Sequence, residues 1–489
     1  MKYGKILLVV ILSLTIVLRF YGLDYIPGLD YDSTFYMMKA RNILQLADTP
    51  LVGMQIYFGP FFFYLIASLG YFFGVSIFLA RSILAIVGVL TVVMAYLVGK
   101  KYFSENVGLI VAALIALSPW QITHSRLIWE VNFVPLFILI VLFMLVKSLK
   151  KRWIIPLIGF FIGMAFQSHP TSILVVPVVF AFYFIYKREL LFSKMVALAF
   201  IFFLIAYFPI TLFNLKNNFT TFNYFVQSFS STRGQTVNIS SRFNTILQLI
   251  KENLSGPWRF SNINTNSLFL DNTLHAPIVF VLWIFSLVLL THTSNKSKIF
   301  LLLANLFFLS LLPFTSFAKG LHTHYIMFLL PFLFLSISFL LSDLLSKKRL
   351  KYLVALFLLF ILAQNFLYLS NNYFKFYYDG GISYFETFRC CKEEVADLIK
   401  EKTNSSTTIY FENDINLFLP VSFYLNGYNY FILKECSQES FRKIETGAYV
   451  FDYNSICDLN FKAVATTISN QEIIRNPNGK TNVFSIYFV

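Results

Sequence analysis

Long apolar runs, separated by short polar or basic turns, recur along most of this chain. Runs of about 18 to 25 residues suffice to cross a bilayer as helices. The pattern predicts eleven spans, at 5–23, 80–99, 107–124, 132–147, 154–168, 172–186, 195–214, 276–292, 299–315, 325–341 and 352–369. The segment GPFFFYLIASLGYFFGV, residues 59–75, is also apolar enough to cross. A crossing there would move every later basic cluster to the other side, so it is expected to be interfacial or re-entrant.

Between the spans, two long outer loops are predicted, at 24–79 and 215–275. In the first, Tyr36, Ala40, Ile43, Leu44 and Ala47 recur at helical spacing, while Lys39, Arg41, Asn42 and Gln45 fall elsewhere. This is an amphipathic surface helix beginning directly after Asp32. The second loop is polar and holds Trp258 and Arg259. After residue 371 the texture changes. EEVADLIKEK reads as a helix, and STTIYFEN, AYVFDYN and NVFSIYFV as strands. Residues 1–371 are therefore a transmembrane domain and 372–489 a small α/β domain outside the membrane. No internal repeat is evident.

Composition agrees. Of 489 residues, 57% are hydrophobic and only 13% charged, with a mean hydropathy of +0.68, which excludes an ordinary soluble domain. The net charge of +15 comes largely from clusters such as Lys100–Lys101, Lys150–Lys151–Arg152, Lys187–Arg188 and Lys347–Lys348–Arg349. Their spacing is the positive-inside pattern, so the charge reports topology and argues against a nucleic-acid partner. It places the N-terminus in the cytoplasm and the C-terminal domain outside, in a multi-pass protein of the plasma membrane. No small-residue cleavage site follows residues 5–23, which read as an anchor rather than a signal peptide. Sequons at Asn218, Asn238, Asn253 and Asn404 all fall on the assigned outer side and give weak support. The cysteines, Cys390, Cys391, Cys436 and Cys457, all lie in the last domain. One or two disulfides and reduced structural thiols both fit.

On this topology the outer face gathers ionisable residues at helix ends. The first loop supplies Asp30 and Asp32. SPWQITHSRLIWE supplies His124, Arg126 and Glu130; FQSHP supplies His169; FAKGLHTHY supplies Lys319, His322 and His324. Five of the six histidines lie on this side, counting His275 and excepting His292. Ionisable groups at membrane depth mark function by default. Acids facing cations suit sugar transfer from a lipid phosphate: a carboxylate accepts the attacking hydroxyl's proton, and cations neutralise the departing phosphate.

Each residue also has a plainer reading. Asp32 can N-cap the helix that starts at Ser33. Arg126 and Glu130, four apart, can be a helical ion pair. His169 before Pro170 can be a satisfied turn residue. Lys319 can snorkel to the interface. His322 and His324, two apart, could both bind a metal only from an extended segment, and no third ligand is clear.

Arg19, PGL at 27–29 and Asp32 together resemble the opening of GT-C glycosyltransferases, in the branch of protein O-mannosyltransferases and bacterial aminoarabinose transferases. The likeness continues through LARSILAIVGVLTVVMAYLVGKKYF, SPWQITHSRLIWEVNF, FIGMAFQSHP and LHTHYIMFLLPFLF, covering roughly residues 15–370. It implies an inverting transfer from a polyprenyl-phosphate-sugar donor to a lipid, glycan or protein acceptor on the outer face. It places the first-loop acid at Asp32 and the second acid at Glu130. Two departures stand out. Ser33 replaces the family's Glu, so the acidic pair is broken unless Asp30 compensates. Gly59 precedes Pro60 where aminoarabinose transferases carry Lys, which argues against that activity in particular.

The expectation is thus a polytopic α-helical GT-C-like membrane enzyme with an extracytoplasmic α/β domain. Asp32 and Glu130 are its catalytic candidates; Asp30, Arg126, His169, Lys319, His322 and His324 are its substrate-binding candidates. No metal ligand is assigned, and a divalent cation is the one cofactor left open. The alternatives are a transporter or flippase of a lipid-linked saccharide, which would place polar groups near the bilayer midplane, and an assembly subunit, which would not need these acids and bases.

Overall fold

The structure, a computed structural model, describes residues 2–230, 275–292, 295–311, 323–374, 391–433, 446–452, 455, 457–459, 461, 470–475 and 482–489. Each of the eleven predicted spans contains a helix. By length and composition, four helices among the described residues can cross a membrane: Ile77–Tyr102, Glu130–Ser148, Ile326–Ser346 and Lys351–Tyr368. A bent pair, Lys194–Ala206 with Phe208–Lys216, makes a fifth candidate, with its halves at 68°. Pro209 at the start of the second half removes a backbone donor there, which accounts for the bend. The first predicted span holds the 19-residue helix Lys2–Phe20, and the remaining ones hold shorter helices of 12 to 17 residues.

Local chemistry explains where the prediction and the structure differ. The expected 107–124 span breaks after Ala116, because Ser118 caps a new one-turn helix, Pro119–His124, with Pro at its first position. Segment 59–75 forms a helix of 13 residues, Phe61–Phe73. At 1.5 Å per residue it is about 20 Å long, short of a bilayer core of about 30 Å. The first-loop helix runs Tyr31–Leu44 and so starts two residues earlier than predicted.

The chain divides into two compact units. One comprises Met1–Tyr21 with Ala40–Tyr368, and the other Gly22–Lys39 with Leu369–Val489. Inside the first, buried polar side chains tie helices together where no water competes. Trp283 Nε1 donates to Asn305 Oδ1 at 3.1 Å, and Asn305 Nδ2 donates to the Ser336 hydroxyl at 3.0 Å.

The second unit holds a five-stranded sheet of order β2-β1-β3-β5-β4. Its strands are β1 (Thr408–Phe411), β2 (Asn429–Ile432), β3 (Ala448–Asp452), β4 (Asn470–Arg475) and β5 (Asn482–Phe488). The first three are parallel, and β5 runs antiparallel to both β3 and β4. β1, β3 and β5 are buried on both faces, which is why each reads as an apolar run. On one face Ile409, Phe411, Val450 and Ile486 pack with Val395 and Ile399 of the Lys392–Lys402 helix. On the other, Tyr410, Tyr449, Phe451, Phe461 and Tyr487 form an aromatic layer. The Ile415–Tyr424 helix, β2 and β4 were not foreseen. β2 is mostly exposed and β4 is a polar edge strand, so neither carries a burial signature. Cys391 and Cys457 are disulfide-bonded, which decides against the reduced alternative for these two; Cys390 and Cys436 lie outside the described residues.

Candidate active site

The first-loop acids belong to the second unit, in its Gly22–Lys39 segment. Asp30, not Asp32, caps the helix: its Oδ1 accepts the Ser33 amide at 3.0 Å, and its carbonyl accepts the Thr34 amide and hydroxyl at 3.0 and 2.7 Å. The Ser33 hydroxyl also bonds the Asp30 carboxylate. Ser33 thus serves Asp30 through both its amide and its hydroxyl. Asp32 lies in the first helical turn, half-buried and not used as a cap. Burial, then the charge of Asp30, pushes the Asp32 carboxyl up to about 7. Asp30 is itself raised by burial, and the Lys392 ammonium is among the groups that oppose this. Lys392 is buried, and its Nζ donates to the Leu29 carbonyl at 2.7 Å. Sequence reasoning missed this lysine because nothing marks it except its place after two cysteines.

In the first unit, Arg126 is fully buried. Its guanidinium donates to the carbonyls of Leu18, Arg19 and Tyr21 at 3.1, 3.1 and 2.7 Å. These are the last carbonyls of the Lys2–Phe20 helix and its continuation, which lack helical donors. Arg19 makes the reverse contact, donating to Ile115 and Ala116 at the end of the Glu105–Ala116 helix, at 3.3 and 3.2 Å. Both cations sit where helix dipoles are negative. A side chain at Gly88 would block this: its Cβ would lie 2.6 Å from Arg19 Nε. The chain from Ser125 to Trp129 is not helical, so the helical ion-pair geometry considered for Arg126 and Glu130 does not arise.

Glu130 is buried and opens a short 3₁₀ turn, Glu130–Phe133. Asn132 braces that turn, donating to the Leu127 carbonyl at 2.9 Å and meeting His124 Nδ1 at 3.2 Å. Rings from three separate segments gather nearby. Trp129 lies 5.7 Å from His124 and 5.9 Å from His324, and His324 lies 5.6 Å from His169. Trp129 and His324 are only half-buried. His169 Nδ1 meets the Thr171 hydroxyl at 2.7 Å and accepts the Thr171 amide at 3.3 Å. Burial lowers its pKa to about 3, so His169 is neutral and can bind a phosphate only as a hydrogen-bonding group. Arg81, also fully buried at the start of the Ile77–Tyr102 helix, is a further cation the sequence reading did not single out. Lys319 and His322 lie outside the described residues. Among the described residues no three His, Cys, Asp or Glu side chains gather as a metal cage.

Gly59 is packed against Gln167: a Cβ there would lie 2.0 Å from Gln167 Oε1, and the Gly59 amide donates to the Gln167 carbonyl at 2.8 Å. Gln167 in turn donates to the Ala206 carbonyl. No lysine fits at this position.

Over nearly its whole length, the chain superposes on solved crystal structures. ArnT from Cupriavidus metallidurans bound to undecaprenyl phosphate matches with a TM-score of 0.63 at 13% identity, covering 98% of this chain and 97% of that one. This is the GT-C fold. An oligosaccharyltransferase from Archaeoglobus fulgidus in the apo form matches the GT-C chain with a TM-score of 0.55 at 12% identity, covering 92% of this chain and 69% of that one. The archaeal oligosaccharyltransferase AglB from the same organism, in complex with an inhibitory peptide and a dolichol-phosphate, matches at 0.52 and 13% identity, covering 98% and 74%. Residues 58–213 match the family described as dolichyl-phosphate-mannose-protein mannosyltransferase, a stretch that includes Arg126, Glu130 and His169. No curated protein sequence matches the GT-C chain.

Proposed function

We propose that the chain is an inverting glycosyltransferase that moves a hexosyl or pentosyl unit from a polyprenyl-phosphate donor to an acceptor hydroxyl or amide. The observation that carries the reading is Asp32. It sits half-buried in the first turn of the loop helix, with a carboxyl raised to about 7 by burial and by Asp30. A base with a pKa near the working pH combines availability with driving force. The family matched by residues 58–213 and the lipid-phosphate ligands of the structural relatives point to the same donor class.

In this mechanism Asp32 removes the acceptor's proton, and the freed electron pair attacks the anomeric carbon. The bond from that carbon to the phosphate oxygen breaks, and polyprenyl phosphate leaves with the electron pair. Glu130 orients the sugar or acceptor from its braced turn. Lys319, with His322 or His324, neutralises the departing phosphate. The half-buried Trp129 and His324 rings offer a face for the sugar. Arg126 is reassigned from phosphate binding to holding the end of the first helix. The disulfide bonding of Cys391 and Cys457 supports an extracytoplasmic setting for the C-terminal unit. The fit of Gly59 against Gln167 argues for a sugar other than aminoarabinose. The test is incubation of the purified protein with a panel of polyprenyl-phosphate sugars, with detection of released lipid phosphate.

A further inference from the structure

Lys392 occupies an unfavourable place unless something compensates. It is the first residue of the Lys392–Lys402 helix, where the dipole favours anions; Glu393 and Glu394 follow that rule and Lys392 does not. It is also only 4% exposed, a costly environment for an ammonium. Its Nζ nonetheless reaches 363 residues back along the chain to the Leu29 carbonyl, at 2.7 Å. Leu29 directly precedes Asp30, whose carboxylate feels the Lys392 charge and caps the helix carrying Asp32.

The residue before Lys392 fixes its position. Cys391 holds a left-handed backbone, φ 72°, which a non-glycine residue adopts only at a cost. It is buried and disulfide-bonded, and its Sγ contacts the Arg475 carbonyl at 3.4 Å. All these residues lie in the one compact unit that joins Gly22–Lys39 to Leu369–Val489.

We propose that Lys392 is a positioning residue for the first-loop acids: anchored by Cys391, its ammonium fixes the Leu29 carbonyl, and so the adjoining Asp30 cap and the helical turn that presents Asp32. The C-terminal unit then has a defined part in the reaction, which is to hold the general base in place. This rests on the glycosyltransferase reading for its consequence in catalysis, though not for the pairing itself.

The test is a set of three variants, Lys392→Met, Asp30→Asn and the double substitution, followed by thermal unfolding and steady-state kinetics of the full chain. Removing one of two buried charges that interact leaves the other uncompensated, so the double variant should recover part of the melting temperature lost in Lys392→Met. In Lys392→Met, kcat should fall by about 100-fold, the scale of a misplaced catalytic group, while the donor KM stays within about twofold. Lys392→Arg, which keeps the charge, should restore most of that loss. Additive losses of melting temperature, or wild-type kcat in Lys392→Met, would overturn the proposal. If Lys392→Met yields no folded protein, recovery of folding in the double variant supports the pairing, and its absence overturns it. A wild-type protein inactive towards every donor defeats the glycosyltransferase reading instead, and the unfolding cycle still judges the pair.

Discussion

Arg19 and Arg126 hold each other's helix ends. Arg19, at the end of the first helix, donates to Ile115 and Ala116 at the end of the Glu105–Ala116 helix, and Arg126 donates back to Leu18, Arg19 and Tyr21. Removing Arg126 would leave three carbonyls without their donor in a buried site, at about 1–3 kcal/mol for each group left unsatisfied. Arg126→Ala is therefore expected to lower the melting temperature in detergent sharply, and Arg126→Lys to recover only part of it, since one ammonium cannot span all three carbonyls. An unchanged melting temperature with a raised donor KM would return Arg126 to the lipid phosphate.

Gly88 tests the same clamp from outside. A methyl group there would meet Arg19 Nε at 2.6 Å and Ser125 Cβ at 2.8 Å. Gly88→Ala should cost about 1–3 kcal/mol through overpacking, despite the gain in helix propensity that alanine normally brings. Thermal unfolding decides it; a variant as stable as wild type would show that the two arginines move without penalty.

The pH dependence follows from the two acids. Asp32 serves as a base only when ionised, and its carboxyl is raised to about 7 by burial and by Asp30. The kcat/KM profile should rise with pH through that region. Asp30→Asn removes the neighbouring negative charge, which eases ionisation of Asp32 and moves this acidic limb to lower pH. The neutral amide still offers an oxygen to the Ser33 amide, so the cap survives in part. An acidic limb that stays in place would show that Asp32 is not the titrating group.

How much of this was legible in the sequence depends on the range of each interaction. The helices were visible because burial in lipid imposes long apolar runs, and β1, β3 and β5 because both of their faces are covered. Asp32 and Glu130 could be named because acids are conspicuous beside apolar runs. The capping role of Asp30 was missed because a two-residue shift in the helix start decides which acid caps it. The structural contacts of Arg126 were not legible because its partners are backbone carbonyls more than 100 residues away, which carry no side-chain signature. Lys392 was missed for the same reason: its partner is the Leu29 carbonyl. Gly59 could be noticed as a departure from a pattern, but its cause, the packed Gln167, is a contact between distant segments.

The central claim is that Asp32 is the base of a lipid-phosphate-dependent sugar transfer. Release of polyprenyl phosphate from a matched polyprenyl-phosphate sugar, measured for wild type and Asp32→Asn side by side, tests it most directly. Wild type should release lipid phosphate in step with acceptor glycosylation, while Asp32→Asn, with an unchanged melting temperature, should release none above background. Full activity in Asp32→Asn would contradict the account.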